Sequence, residues 1–510
     1  MPQQVLNENI RKTVDAFQTL DEKITHFNDV LGLLGWDART GAPKKGRSLF
    51  AKAKGTLSTE MFQLTISPQM GEYVKTLSDP SVYEQLDDAT KASVRVRKHA
   101  YEKSKSIPTE LYNEYVVLAS NSNDAWEEAR ANNDFAHFQP YLEKVVDLKK
   151  KFIDYYGYEG HPYDPLLDDF EPGLTVEKLD PLFSELRQNS LNLLERIQQS
   201  GHHPQKEMFD QSFPVHKQKE FLLSVIPKLG YDMEAGRLDE TTHPFAQAVN
   251  TGDVRITTRY EEENVRMALF GTIHETGHAL YEQGVNPDYE GTVIRRGASY
   301  GLHESQSRFL ENIVGRSEAF WQYFYRDLQS CFPKQLNGVS SRAFYEAANN
   351  VEPSLIRIKA DELTYNLHIM IRYEIEKALI AGDVEVKDLP HIWNEKMEEY
   401  LGVVPPSDTL GVLQDVHWSQ GSFGYFPSYS LGNLYAAQIR NTIKKEMPDF
   451  YSNIENGEFM KIRNWLKENI HQYGKLYTPE ELIQKVTGEA LNARYLVDYL
   501  EEKFAEIYRL

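Results

Sequence analysis

The stretch Gly271-Thr272-Ile273-His274-Glu275-Thr276-Gly277-His278-Ala279-Leu280 decides how the rest of the 510-residue chain is read. It carries the pattern His-Glu-x-x-His. In a helix, His274 and His278 stand one turn apart on the same face, where two imidazoles can share one metal ion. Glu275 is offset by roughly 100° and can flank that ion without binding it. Two neutral nitrogen ligands beside a carboxylate aimed at activated water are what a metal-assisted hydrolase needs. The plain alternative is a solvated helix face that happens to hold two histidines. Ile273, Ala279 and Leu280 argue against it, because they predict a buried helix, and buried ionisable groups need partners.

A catalytic zinc-type centre takes three protein ligands and keeps one position open. Glu304, in His303-Glu304-Ser305-Gln306, is the candidate third ligand. It follows His278 by 304 − 278 = 26 residues, enough for a turn and a returning helix. Two neutral histidines and one carboxylate leave a divalent ion with a net charge of about +1, which favours deprotonation of water and stabilises an oxyanion.

Outward from this stretch the chain reads as helix after helix. Apolar spacing predicts helices over about 5–35, 45–78, 85–106, 109–132, 137–157, 175–199 and 214–228 before it. After it come 305–331, 341–350, 353–381 and 388–401, the last with Gly402 as C-cap. Breaks fall at 35–43 and in the aromatic Pro/Gly-rich loop 155–165. Thr478-Pro479-Glu480-Glu481 reads as a capping box with proline at the first helical position. The run 253–260 alternates and is β-branched, so it is a strand candidate, and 292–296 is a second. A small β-sheet beside the metal helix is therefore expected in a mainly α protein. Without repeats or a linker-like boundary, residues 1–510 are expected to form one domain with two lobes.

Lys+Arg number 56 against Asp+Glu 76, a net charge of −20 that disfavours nucleic-acid partners. No run of about 18 apolar residues predicts a membrane span. The single cysteine, Cys331, permits no intrachain disulfide, and the first residues lack a basic-then-apolar leader, so a cytoplasmic location is expected.

Other residues suit substrate contact. Arg357 and Asp361 lie one turn apart if helical, either as an intrahelical ion pair or with the arginine free for an anionic substrate end. His417 sits between a Gln-Asp pair and a glycine-rich loop that holds Tyr425 and Tyr429. A phenol near the metal can donate to an oxyanion. Asp253, Arg255 and Thr257 share one strand face, as a hydrogen-bonded cluster or as a substrate contact. His303, beside Glu304, completes the candidates.

Five stretches together resemble the carboxypeptidase Taq family of metallocarboxypeptidases, the thermostable carboxypeptidase 1 type. They are Asp253-Val254-Arg255-Ile256-Thr257, His274-Glu275-Thr276-Gly277-His278, His303-Glu304-Ser305-Gln306, Ile356-Arg357-Ile358-Lys359-Ala360-Asp361 and Gly411-Val412-Leu413-Gln414-Asp415-Val416-His417-Trp418. The likeness runs from Trp36-Asp37 to Asn492-Ala493-Arg494-Tyr495. It implies a neurolysin-like, two-lobed helical fold with a deep active-site groove, as in angiotensin-converting enzyme. It implies His274, His278 and Glu304 as ligands of one divalent metal, zinc or cobalt, Glu275 as general base, and a homodimer. Release of single amino acids from peptides with a free C-terminus is then expected, with Arg357 holding the terminal carboxylate. The rivals are an endo-acting oligopeptidase on the same scaffold and a non-catalytic helical binding protein with a relict metal site. Many zinc peptidases of the wider group carry an acid four residues after the ligand glutamate. Arg308 stands there in this chain, so the partners of the two imidazoles stay unassigned at this level.

Overall fold

The computed structural model describes residues 7–510, and Val5 with the predicted start of the first helix lies outside the described residues. The fold is mainly α with one small sheet. The first helix runs Glu8–Thr40, past the break expected at Gly35, because Gly35 and Trp36 are buried within it. The predicted helix over 45–78 divides into Arg47–Thr65 and Pro68–Leu77, the second capped by Ser67 with proline at its start. Thr478 and Glu481 form the expected capping box, and Gly402 ends its helix in the left-handed conformation.

The sheet has the order β1-β3-β2, with β1 (Leu238–Glu240) parallel to β3 (Asp253–Thr258) and β2 (Ala246–Asn250) antiparallel to it. Val254 and Ile256 point into the core and are fully buried, so the alternation read for 253–260 holds as far as Ile256, after which Thr257 and Thr258 are both buried and the strand ends. The second strand does not lie at 292–296, which runs as turns. The side chains of Arg295 and Arg296 reach the carbonyls of Val249 and Ala248 on β2, and the Ile294 carbonyl accepts from the Lys475 amide. Side-chain and loop bonds thus take the place of a ladder, and the sheet is complete before the motif helix begins.

That helix spans Val265–Gly284 and is apolar on nearly every face. Thr272 donates to Thr258 of β3 at 2.8 Å, which fixes the helix against the sheet. The returning helix, Tyr300–Arg308, widens at its end into a π-helical stretch, Phe309–Gly315, before Glu318–Cys331 resumes α geometry. The predicted single helix over 305–331 is therefore three segments. Likewise, the helix expected over 353–381 begins only at Thr364. Asp361 explains the late start, because its carboxylate accepts from the amides of Leu363 and Thr364.

Among the described residues, two apolar clusters stabilise the fold. The larger runs from Trp126 to Tyr508 and encloses the motif helix. The smaller, built on Phe17, Ile24, Met70, Leu77 and Val94, belongs to the N-terminal helices. Between the N-terminal helices and the rest, Arg97 bonds Asp21, whose other oxygen accepts from the Val293 amide, and Trp36 packs edge-on against Phe245.

Candidate metal centre

Glycine lets the two ligand-bearing helices touch. A Cβ on Gly277 would lie 2.4 Å from the Gln306 carbonyl oxygen and 2.6 Å from the Ser307 Cα, so the helices cross backbone to backbone there. On the other side, Gly432 of the helix Pro427–Glu446 leaves room for Glu304, whose Cγ a Cβ would meet at 2.4 Å.

Nε2 of His274 lies 3.6 Å and Nε2 of His278 3.3 Å from Oε2 of Glu304. All three donor atoms fall within 4.8 Å of one another. Ligand atoms about 2.0–2.2 Å from one ion at tetrahedral angles lie about 3.3–3.6 Å apart, so the donor set fits a divalent cation. The other ring nitrogens support this. His274 Nδ1 is 2.9 Å from Glu311 Oε2, and His278 Nδ1 is 3.1 Å from the His303 carbonyl. Each Nδ1 faces an acceptor and so carries the proton, leaving Nε2 as a bare lone pair toward the common point.

Burial would raise Glu304, but Arg308 and His274 outweigh it and hold the carboxyl well below its usual range. Burial and the neighbouring His303 lower His278 to about 4. A charged carboxylate and a neutral imidazole are the states a metal requires. Burial also lowers His274, but attraction to Glu304 and Glu311 prevails and raises it, a pull that a cation among the three would replace.

Glu275 is buried beside this set, and its Oε2 has no hydrogen-bond partner. Burial is the main reason its carboxyl is raised to about 7, with Glu304 and Glu311 adding to the rise and His274 opposing it. A carboxylate with an unpartnered oxygen and such a pKa is suited to take and return a proton near neutrality.

Glu311 and Glu282 escaped the sequence reading, and Arg308 entered it only as the basic residue standing where the wider group carries an acid. Arg308 bonds Glu304 Oε1 at 2.7 Å and lies 3.4 Å from Glu311 Oε2, while Arg316 bonds Glu311 Oε1 at 3.0 Å. Glu282 accepts from His303 Nε2 at 3.0 Å. The signal was present: Arg308 and Glu311 follow Glu304 by four and seven residues, and Glu282 follows His278 by four, all helix-face spacings.

Among the remaining candidates, His303 stacks on His278 at 4.6 Å, with its ring tied to Glu282. Arg357 is buried and does not pair with Asp361. Its Nε and Nη2 bond Asp415 at 3.1 and 2.8 Å, and Nη1 bonds the Tyr365 hydroxyl at 3.1 Å. Arg372 bonds the other Asp415 oxygen at 2.7 Å, so two arginines share one carboxylate and the cluster keeps a net charge of +1. His417 Nε2 lies 3.2 Å from the Tyr429 hydroxyl, and burial with Arg357 nearby lowers its pKa to about 3, so the ring is neutral. Tyr425 packs on His417 and Tyr429, and burial raises its phenol well above the usual value, keeping it a donor. Tyr365 joins the two groups, with the Arg308 guanidinium 4.3 Å and that of Arg357 6.0 Å from its ring centre. Arg255 is a different case. It is bidentate to Asp253 at 2.7 and 2.6 Å, and Thr257 exchanges bonds with Phe245, which is the structural cluster.

Comparison with known proteins places these motifs in one family. Residues 16–504 match the model for carboxypeptidase Taq (M32) metallopeptidase. The chain is 48% identical to carboxypeptidase 1 of Bacillus subtilis over 497 residues, covering 97% of this chain and 98% of that one. It is 43% identical to thermostable carboxypeptidase 1 of Thermus thermophilus, covering 97% and 99%. Its fold matches the crystal structure of an M32 carboxypeptidase from Deinococcus radiodurans with TM-score 0.94 at 37% identity, covering 98% of this chain and all of that one.

Proposed function

The chain belongs to the carboxypeptidase Taq (M32) family of metallopeptidases, and from that premise we propose that it releases single amino acids from the free C-terminal end of peptides. Membership makes it a metal-dependent peptide hydrolase of the carboxypeptidase kind. The observation that carries the finer reading is the unpartnered Glu275 carboxylate beside the convergent His274, His278 and Glu304.

These three residues would hold the metal, zinc or alternatively cobalt, and the bound ion would acidify water and stabilise charge on the scissile carbonyl oxygen. Glu275 accepts the proton of the attacking water and then passes it to the departing amine. The Tyr425 hydroxyl, kept protonated by burial, donates to the oxyanion, and His417 orients Tyr429 beside it. Arg357 receives the terminal carboxylate. The surplus positive charge of its cluster with Arg372 and Asp415 supplies the attraction, and Tyr365 fixes its distance from the metal side. Glu311 orients His274, and His303 holds His278 by its carbonyl and by stacking. Arg255 takes no part in this scheme. A cytoplasmic location and a homodimer are assigned on the single cysteine and the resemblance respectively.

Incubating the metal-loaded protein with a peptide mixture, read by mass spectrometry, tests this function. A ladder of losses from the C-terminus alone is expected, and C-terminal amidation should abolish it. Internal fragments, or equal cleavage of amidated peptides, would instead identify an endo-acting oligopeptidase.

A further inference from the structure

The seam between the two apolar clusters contains a cavity of about 430 Å³, bounded by Thr25, Asn28 and Gly32 of the first helix and by the 292–296 loop. Five cationic side chains line it: Lys54, Arg97, Arg295, Arg296 and Lys475. None of the lining residues is acidic. Four carboxylates outside the lining answer the arginines. Asp21 pairs with Arg97, Asp29 with Arg295 and Arg296, Glu290 with Arg295, and Glu282 with Arg296.

One guanidinium nitrogen is left over. Among the described residues, Arg97 Nη2 is buried without a hydrogen-bond partner on a side chain that is 6% exposed, while Arg295 Nε, also without a hydrogen bond, lies 3.6 Å from Glu290 Oε2. A buried cationic donor without a partner is costly, and such groups mark places where an acceptor belongs. Among the described residues, neither Lys54 nor Lys475 has a carboxylate within ion-pair distance. Burial, with Arg296 nearby, lowers Arg295 to about 9, and burial lowers Lys475 as well, with Glu282 opposing and Arg296 and Arg97 adding to the effect. Five cations against four carboxylates leave the cavity with a net positive charge.

We propose that this cavity binds a small oxyanion with two negative charges, a phosphate group, held between the two lysines and the free edge of Arg97. Guanidinium and ammonium donors that converge on one space recognise phosphate by charge-assisted hydrogen bonds. The bonds from Arg295 and Arg296 to the Val249 and Ala248 carbonyls fix those side chains in advance, so little ordering is needed on binding. The volume exceeds that of a bare phosphate, which leaves space for the organic part of a small monoester. Arg296 also faces Glu282, Glu282 holds His303, and His303 stacks on His278. The cavity and the candidate metal centre are thereby in physical contact through three side chains.

The test is calorimetric titration of the metal-loaded protein at constant ionic strength with inorganic phosphate and, separately, with glycerol 3-phosphate. Wild type should bind saturably, and a Lys54→Gln/Lys475→Gln double variant about tenfold or more weakly, since two charge-assisted contacts are lost. Both lysines are only partly buried, and the variant should keep wild-type kcat/KM in phosphate-free buffer. Each single variant should show part of the loss. Tighter binding of the ester identifies a phosphorylated small molecule as the occupant, and tighter binding of inorganic phosphate identifies the free ion. Absence of saturable binding with either probe overturns the proposal, and so does equal affinity in the double variant, which would locate the anion elsewhere, at the metal included.

Discussion

The metal side and the arginine side of the site are assembled in opposite ways. His274, His278, Glu304 and their supports Glu282, Arg308 and Glu311 come from two crossing helices and the π-helical stretch that extends one of them. Arg357, Arg372, Asp415, His417 and Tyr429 come from a short helical turn, a long helix, a loop and the start of another helix. On the metal side, helical periodicity sets the distances. On the arginine side, one buried carboxylate, Asp415, gathers segments that have no regular spacing between them. In the proposed scheme the difference separates chemistry, which tolerates little displacement, from recognition of a chain end, which rests on charge.

Glu275→Gln strikes the metal side hardest and should lower kcat by about 10²–10⁴-fold. Metal content by elemental analysis should be unchanged, because Glu275 is not among the convergent donors. Ordinary activity in a metal-replete preparation would dissolve the distinction, leaving no base on the helical side. Arg357→Gln is the counterpart on the other side. Loss of a charge-assisted pair, worth about 1.5–3 kcal/mol, should lower kcat/KM for free-end peptides by about 10- to 100-fold. The amidated-to-free rate ratio should rise toward one. An unchanged ratio would show that the arginine cluster reads something other than the chain end.

A smaller effect is expected at the support of the metal side. Glu311→Gln keeps the size of the side chain but weakens its hold on His274 Nδ1, and metal affinity measured against a chelator should fall by about 10-fold, within the range for such partners. The smallest effect concerns acid stability. Burial alone would raise Asp415, but Arg357 and Arg372 hold its carboxyl well below the usual range. A carboxyl depressed on folding adds stability above its unfolded pKa of about 3.9 and loses it as pH falls toward the folded value. Urea unfolding of wild type should therefore weaken between pH 5 and pH 3 (approximate bounds from the unfolded pKa) more than that of Asp415→Asn. Parallel slopes would remove Asp415 as the centre of the arginine side.

Legibility in the sequence follows the same division. The ligand pattern, the buried motif helix, the strand at 253–260 and most helices were readable because regular elements impose fixed periods on side chains. Glu311 and Glu282 were readable in principle at the same spacings, but a carboxylate one or two turns away from a ligand looks like any other charge on a helix. On the arginine side the candidates Arg357, His417, Tyr425 and Tyr429 were legible, but the bonds that join them were not. Arg357 and Asp361 have i,i+4 spacing and suggest an ion pair, yet the chain is irregular there and Asp361 caps the next helix instead. The pairing of Arg357 with Asp415 spans 58 residues, and no local rule reports it. The strand expected at 292–296 failed because its two arginines bond β2 through side chains rather than through backbone.

A crystal structure of the metal-loaded protein, with anomalous scattering recorded at the metal edge, tests the central claim most directly. One ion per chain is expected at about 2.0–2.2 Å from Nε2 of His274, Nε2 of His278 and a Glu304 carboxylate oxygen, with the remaining position open toward Glu275. An ion bound elsewhere, or a fourth position filled by another protein atom, would contradict it.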